Sequence, residues 1–170
     1  GTQRLPRLIG LRYALEMITI GKPIKSELAH KRGLVDEVAD AETLIDKAVA
    51  AARRFTSGQL NIKARMTRNQ HHWIPSAAEK KAMMDFTKAM VAAQSKGYIA
   101  PMKAVEAIDK GLSYDMDKDL EREVALFADC AVSDVAENLI GIFLNTRAAG
   151  RLERIEGIEP AGIRKVAMLG

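Results

Sequence analysis

The chain has 170 residues, of which 48% are hydrophobic and 28% are charged. These are the proportions of a globular domain, and they exclude a disordered chain. The net charge of +4 is too small to indicate a nucleic-acid or membrane partner by itself. The single cysteine, Cys130, excludes an internal disulfide framework, and we expect it to be a small core residue in a reducing compartment.

The first predicted element is a helix over residues 5–20. Its apolar residues recur at spacings of three and four, the pattern of one helix face. They are Leu8, Leu11, Leu15 and Ile18. Arg7 is predicted on the opposite, solvent side, and Gly21 is expected to end the helix. Few aromatics (5%) and eight methionines favour a helical core over a β-sandwich.

Two short elements and a third helix follow. Ser26 is expected to cap a short helix that ends at Gly33. Residues 34–38, "LVDEV", are predicted to form a brief strand because β-formers dominate them. Asp40 is expected to cap a helix that runs to Gly58. Its apolar stripe contains Leu44, Ile45, Ala48, Val49, Ala52 and Phe55.

Residues 59–75 are the least regular part of the chain and carry no acidic residue. With Arg54 just upstream, their basic residues indicate either a solvated loop or a contact with a phosphate-bearing ligand. These basic residues are Lys63, Arg65 and Arg68. No histidine has a partner at the spacing of metal ligands, since adjacent His71 and His72 would point about 100° apart on a helix. We therefore predict no metal site.

The second half is predicted to contain four further helices. Ser76 and Glu79 form a capping box, and Pro101 suits the first turn of the next helix. Asp115 or Asp117 is expected to cap another, and Ser133 opens the last long helix. The predicted apolar faces are Met83, Phe86 and Met90; Met102, Val105, Ile108 and Leu112; Leu120, Val124, Phe127 and Ala131; and Val135, Leu139, Ile142 and Phe143.

The end of the chain, "IRKVAMLG", is predicted to be a strand that stops at Gly170. A lone strand leaves its backbone groups without partners, so we expect the chain to be a piece of a longer protein. A strand that ends at a glycine is also how a dinucleotide-binding βαβ unit begins. One glycine is far short of the full fingerprint, so this stretch alone does not establish such a unit.

Three groups of residues carry a family resemblance: Gly1-Thr2-Gln3-Arg4-Leu5, Gly21-Lys22-Pro23-Ile24 and Gly33-Leu34-Val35-Asp36. They resemble the second half of the enoyl-CoA hydratase/isomerase (crotonase) superfamily. Downstream, "APMKAVEAIDKGL", "LEREVALF" and "ENLIGIFLNTR" are similar to the helical tail of the multifunctional fatty-acid oxidation enzymes. "IRKVAMLG" then resembles the first strand of their 3-hydroxyacyl-CoA dehydrogenase domain.

The resemblance implies a mainly α chain: the C-terminal helical part of a crotonase-like α/β fold, a linker and the first strand of a Rossmann domain. Residues 1–58 would be the C-terminal half of the crotonase-like domain and 59–149 its helical extension. Residues 150–162 would be the linker and 163–170 the first strand of a truncated dinucleotide-binding domain. In isolation, residues 1–58 are expected to expose a large apolar face.

The resemblance also implies that the parent enzyme hydrates 2-enoyl-CoA to 3-hydroxyacyl-CoA and oxidises that product with NAD. The family's two catalytic glutamates and its oxyanion-binding N–H groups precede the "GTQRL" motif. No residue here is therefore assigned a catalytic role, and the chain alone is expected to be inactive. Gly170 is the one candidate for NAD binding. Lys103, Phe127 and Phe143 are candidate substrate contacts, with a core or surface role as the alternative for each.

The implied partners are the acyl-CoA substrate, the remainder of the crotonase and dehydrogenase domains and a thiolase subunit. Nucleic acid and a membrane span are not expected. The implied location is the bacterial cytoplasm, or the mitochondrion or peroxisome in a eukaryote. An alternative of a different class stays open: a stand-alone helical module that binds a protein or an anionic partner through its basic residues.

Overall fold

The computed structural model describes residues 1–150, together with Gly162 and Lys165. Residues 1–150 form nine α-helices and one 3₁₀ turn, Thr67–Asn69, and contain no strand. The helices are α1 (Leu5–Ile9), α2 (Leu11–Ile20), α3 (Ser26–Lys31), α4 (Leu44–Thr56), α5 (Ile62–Arg65), α6 (Ala77–Gln94), α7 (Ala100–Lys110), α8 (Met116–Ala131) and α9 (Asp134–Ala149). The mainly helical prediction is confirmed for this part of the chain. Apart from Gly150, Gly162 and Lys165, the residues of the predicted linker and terminal strand lie outside the described residues, and so does Gly170.

The core lies where α2, α6 and α7 meet, and α8 packs against α7. Its buried side chains are Leu11, Leu15, Met84, Val91, Val105, Ile108 and Leu112. The predicted apolar face of α7 is confirmed, since Val105, Ile108 and Leu112 belong to this core and Met102 packs against it. Burial of such aliphatic side chains stabilises the fold by about 1.5–3 kcal/mol each.

The predicted first helix is broken at Gly10. This residue has φ 84° and ψ 156°, a backbone conformation that side chains with a Cβ rarely adopt. The break interrupts the helical phase, so the residues of α1 do not continue the face of α2. The prediction that Arg7 faces solvent is therefore wrong, because Arg7 is fully buried.

The strand predicted over residues 34–38 is also wrong, as these residues form bends and irregular backbone. A strand needs a neighbour to satisfy its backbone groups, and the described part of the chain offers none. Instead, the Leu34 N–H donates to the carbonyl of Ala29 at the end of α3. Ser26 is the first residue of α3 rather than its cap, and Thr43 rather than Asp40 precedes α4.

The caps predicted for the second half are confirmed. Ser76 and Glu79 form the reciprocal capping box of α6, with Glu79 N–H donating to Ser76 Oγ at 3.3 Å. Pro101 occupies the first turn of α7. Asp115 caps α8 by accepting from Lys118 N–H, and Ser133 caps α9. Local side-chain-to-backbone bonds are what the sequence pattern encodes here, so they could be predicted without knowledge of the fold.

Several predicted inward faces point to solvent instead. On α8, Val124 is 65% and Phe127 69% exposed, and Ala131 is exposed as well. The described elements leave these three side chains largely exposed, so the inward prediction for them is wrong. Helix α4 has no buried residue and exposes Leu44, Ile45 and Val49, as expected for an apolar face of residues 1–58. None of the described helices combines the length and the apolar content needed to cross a membrane.

Candidate functional site

A buried ion pair joins α1 to α8. Arg7 Nη2 lies 2.9 Å from Asp119 Oδ2, and both side chains are completely buried. Burial lowers the pKa of Arg7, and the charge of Asp119 partly opposes that shift. Arg7 Nη2 also donates to the carbonyl of Ser113 at 2.8 Å, so one guanidinium nitrogen joins the start of α8 to the turn before it.

The Asp119 carboxylate is held from several directions. It accepts from the Ser113 N–H at 2.8 Å, from the Ser113 hydroxyl at 2.9 Å and from Arg122 at 3.2 Å. These bonds compensate for the loss of water around a buried charge. With the bond from Arg7, four donors from the protein contact this carboxylate, which indicates a structural role.

Gln3 caps α7 from another part of the chain. Its Nε2 donates to the carbonyl of Ala107 at 2.7 Å, and its Oε1 accepts from the Leu112 N–H at 3.1 Å. The last carbonyls of a helix need such partners from outside the helix. The side chain fits because residue 111 is glycine, where a Cβ would lie 2.2 Å from Gln3 Oε1.

Thr2 completes the set of contacts. Its hydroxyl donates to Glu123 Oε1 at 2.6 Å, and its backbone N–H donates to the same oxygen at 2.8 Å. Burial by itself would raise the pKa of Glu123, and the hydrogen bonds from the Thr2 hydroxyl and backbone N–H act in the opposite direction. We call Thr2, Gln3 and Arg7, with their partners in residues 107–123, the N-terminal latch.

Sequence reasoning missed the N-terminal latch. Arg7 was predicted on the solvent side of its helix, whereas it is buried. The signal that could have indicated the latch is the set of polar residues in the "GTQRL" motif. They directly precede a helix that has to pack against the rest of the molecule. Pairing these residues with acids more than a hundred positions away requires the fold.

Of the three candidate substrate contacts, Phe127 lines an apolar cleft beside α9. This apolar cleft of about 500 Å³ lies between the start of α7, the end of α8 and the start of α9. Cys130 also lines it and is only partly buried, so it is not the core residue that the sequence indicated. The other lining residues include Tyr98, Ile99, Leu139 and Ile140.

Lys103 and Phe143 lie elsewhere. Lys103 Nζ donates to Asp129 Oδ2 at 2.8 Å, and this bond raises the pKa of Lys103. Its side chain lines a neighbouring cleft of about 580 Å³ along α7, which shares Tyr98 and Ile99 with the cleft of Phe127. Phe143 lies further along α9, with the guanidinium of Arg147 5.3 Å from its ring centroid. The structure therefore does not gather the three predicted contacts into one site.

The basic stretch after α4 meets acids from other elements. Arg65 pairs with Asp36, and Arg68 pairs with Asp117 at 3.2 Å. These ion pairs neutralise both arginines, which favours the solvated-loop interpretation over an anion-binding surface. Among the described residues, no group of three His, Cys, Asp or Glu side chains has an arrangement that would hold a metal ion.

A second apolar cleft of about 500 Å³ lies between exposed parts of α2 and α6. Met83, Phe86 and Met90, the predicted apolar face of α6, lie along one wall. Arg12 and Glu16 of α2 are on the other. The described residues thus provide apolar clefts and one buried polar cluster.

Comparison with known proteins adds a family. Residues 1–99 match the family model described as Enoyl-CoA hydratase/isomerase. Proteins named "Fatty acid oxidation complex subunit alpha" from Pseudomonas putida, Ectopseudomonas oleovorans and Pseudomonas aeruginosa are each 37% identical to the chain over 171 aligned residues. The similarity covers 100% of this chain and 24% of each relative, so the chain spans about a quarter of the length of the curated relatives that it matches.

Proposed function

Since the chain belongs to the enoyl-CoA hydratase/isomerase family, we propose that it joins the hydratase and dehydrogenase parts of a multifunctional fatty-acid oxidation enzyme. That enzyme adds water to 2-enoyl-CoA and oxidises the resulting 3-hydroxyacyl-CoA with NAD. The observation that carries this proposal is the 37% identity to the alpha subunits, which extends over the whole chain. It continues well beyond residue 99, where the family match ends.

In this proposal the chain contributes packing rather than proton transfer. Hydration needs a general acid, a general base and donors for the thioester oxygen. The resemblance assigns all of these to positions before Gly1. The exposed apolar residues of α4 and α9, such as Ile45 and Leu144, support a role in packing against other parts of the enzyme.

Phe127 is the best supported of the proposed substrate contacts, because it lines the apolar cleft beside α9. An acyl chain would be stabilised there by burial of its methylene groups, about 0.8 kcal/mol for each. Lys103 and Phe143 stay predictions, since neither lines that cleft. To bind a CoA phosphate, the ammonium group of Lys103 would have to exchange its ion pair with Asp129 for one with the phosphate.

NAD would accept the hydride in the oxidation of 3-hydroxyacyl-CoA. A dinucleotide is held where a strand turns through glycines into a helix, and residues 1–150 contain no strand. The described residues therefore do not fit the cofactor, and no step is assigned to them through it. Gly170, outside the described residues, is the proposed first glycine of that turn.

The relatives are named as subunits of a complex, so we propose that this enzyme also assembles with a second subunit. A thiolase is the proposed second subunit, because thiolytic cleavage consumes the 3-ketoacyl-CoA that the dehydrogenase reaction forms. The proposed location is the bacterial cytoplasm, as for a bacterial pathway acting on CoA esters.

The test compares the 170-residue chain with the longer polypeptide that contains it. Both are assayed for hydration of crotonyl-CoA and for NADH formation from 3-hydroxybutyryl-CoA. We expect both activities in the longer polypeptide and neither in the chain, with circular dichroism showing that the chain is folded. Hydration by the chain alone would overturn its inactivity, and an inactive longer polypeptide would overturn the function. Salt-sensitive binding of the chain to nucleic acid, unaffected by CoA esters, would instead support the binding-module alternative.

A further inference from the structure

We propose that the N-terminal latch makes Glu123 a positioning residue, which fixes the direction in which the chain enters α1. The inference rests on the proposed function for its effect on catalysis, and on geometry for the latch itself. Glu123 belongs to α8, outside the part of the chain that matches the family. A residue of the helical extension would thus set the position of the family-matched part.

The geometry begins with how little else holds the N-terminal segment. Helix α1 has only five residues, and a helix this short is not stable on its own. Its direction is therefore set by contacts with the rest of the molecule. Thr2, Gln3 and Arg7 each find their partners between residues 107 and 123, so the segment is held along its length.

Glu123 differs from the other partners in the latch because it binds a backbone N–H of the N-terminal segment as well as a side chain. One carboxylate oxygen accepts both the hydroxyl and the backbone N–H of Thr2, at 2.6 and 2.8 Å. The backbone bond fixes the main chain itself, whereas Gln3 and Arg7 reach their partners with flexible side chains. Charge-assisted bonds of this kind are about twice as strong as neutral ones. Glu123 is thus the contact closest to the point where the chain would continue upstream.

In the proposed enzyme, the residues before Gly1 belong to the hydratase part. A displacement of about 1 Å, caused far from the reacting atoms, can lower a rate by up to about a hundredfold. Release of Thr2 would allow such a displacement without removing any group that touches substrate. The expected signature is a lower kcat for hydration with an unchanged KM.

The test uses three variants of the longer polypeptide. Glu123→Ala removes the acceptor, Glu123→Gln retains an acceptor oxygen, and Glu121→Ala changes an exposed acid on the same helix. We expect kcat of crotonyl-CoA hydration to fall about tenfold or more in the first variant. The second is expected to recover part of this loss, because a neutral acceptor forms weaker bonds, and the third to match the wild type. Equal kcat values in Glu123→Ala and the wild type would overturn the proposal.

Hydrogen exchange on the 170-residue chain tests the latch independently of activity. In Glu123→Ala, amides of residues 2–9 are expected to exchange about tenfold faster, with those of α6 unchanged. Faster exchange throughout α6 and α7 would show general destabilisation and overturn the positioning role. Unchanged exchange in residues 2–9 would overturn the latch. An inactive wild-type polypeptide with the expected local exchange would instead refute the proposed function and leave the latch supported.

Discussion

Removing the Asp119 carboxylate should strongly destabilise the chain, because it leaves the Arg7 guanidinium buried without its counter-ion. Both side chains are completely buried, so neither charge can be satisfied by water in place. Nε and Nη1 of Arg7 already lack a hydrogen-bond partner in the described structure. After Asp119→Ala, the carbonyl of Ser113 would be the remaining acceptor for Nη2.

The magnitude follows from measured cases of broken buried pairs, which cost about 3–5 kcal/mol. The same change removes the acceptor for the N–H and hydroxyl of Ser113, which places the expected loss in the upper part of that range. Domain stabilities are only about 5–15 kcal/mol, so Asp119→Ala should shift the unfolding midpoint far to lower urea. Asp119→Asn keeps the shape and one acceptor, and should cost less.

The assay is urea unfolding followed by circular dichroism at neutral pH. The double variant Arg7→Met/Asp119→Leu serves as the matched control, because it removes both charges and keeps an apolar volume. It should be more stable than Asp119→Ala, since replacing both partners avoids the unpaired buried charge. If Asp119→Ala unfolds within about 1 kcal/mol of the wild type, the buried-pair reasoning is refuted.

Three further predictions concern a buried glycine, a helix cap and the exposure of α4. Gly111→Ala should cost about 1–3 kcal/mol in urea unfolding because its Cβ would collide with Gln3 Oε1. Gly141→Ala, with open space around it in α9, should be stabilising by about 0.5–1 kcal/mol; equal effects would contradict the close-packing argument. Hydrogen bonds from Ser76 lower the pKa of Glu79, so the capping box stabilises above the ordinary glutamate pKa and is lost as the pH falls through the lowered value. Ser76→Ala should therefore lower Tm at neutral pH and raise the pKa of Glu79 by NMR titration, and an unshifted titration would argue against the box. Amides of α4, which has no buried residue, should exchange faster than those of α7, and the reverse order would show that α4 is covered.

The sequence was sufficient where a feature depends on neighbours along the chain. The Ser76 capping box, the Ser133 cap and the apolar face of α7 were all predicted, because each is encoded within a few residues. The "GTQRL" and "GLVD" stretches were likewise enough to indicate the family that the comparison confirmed over residues 1–99.

Features that depend on distant partners were not predicted. The burial of Arg7 depends on Asp119, 112 positions later, and on the helix break at Gly10. The strand predicted at residues 34–38 failed because β-propensity cannot supply a neighbouring strand. Phe127 was predicted to face inward from its spacing alone, yet the described structure leaves that side of α8 open.

In the proposed function, this chain is the joining segment of a longer oxidation enzyme. The most direct measurement is the length of the native polypeptide, captured from the source cells with an antibody against residues 77–94 and determined by mass spectrometry. Because the chain corresponds to 24% of its relatives, the account predicts a polypeptide about four times as long. Peptides from both sides of the chain should be present in it. A native protein of only these 170 residues would contradict the account.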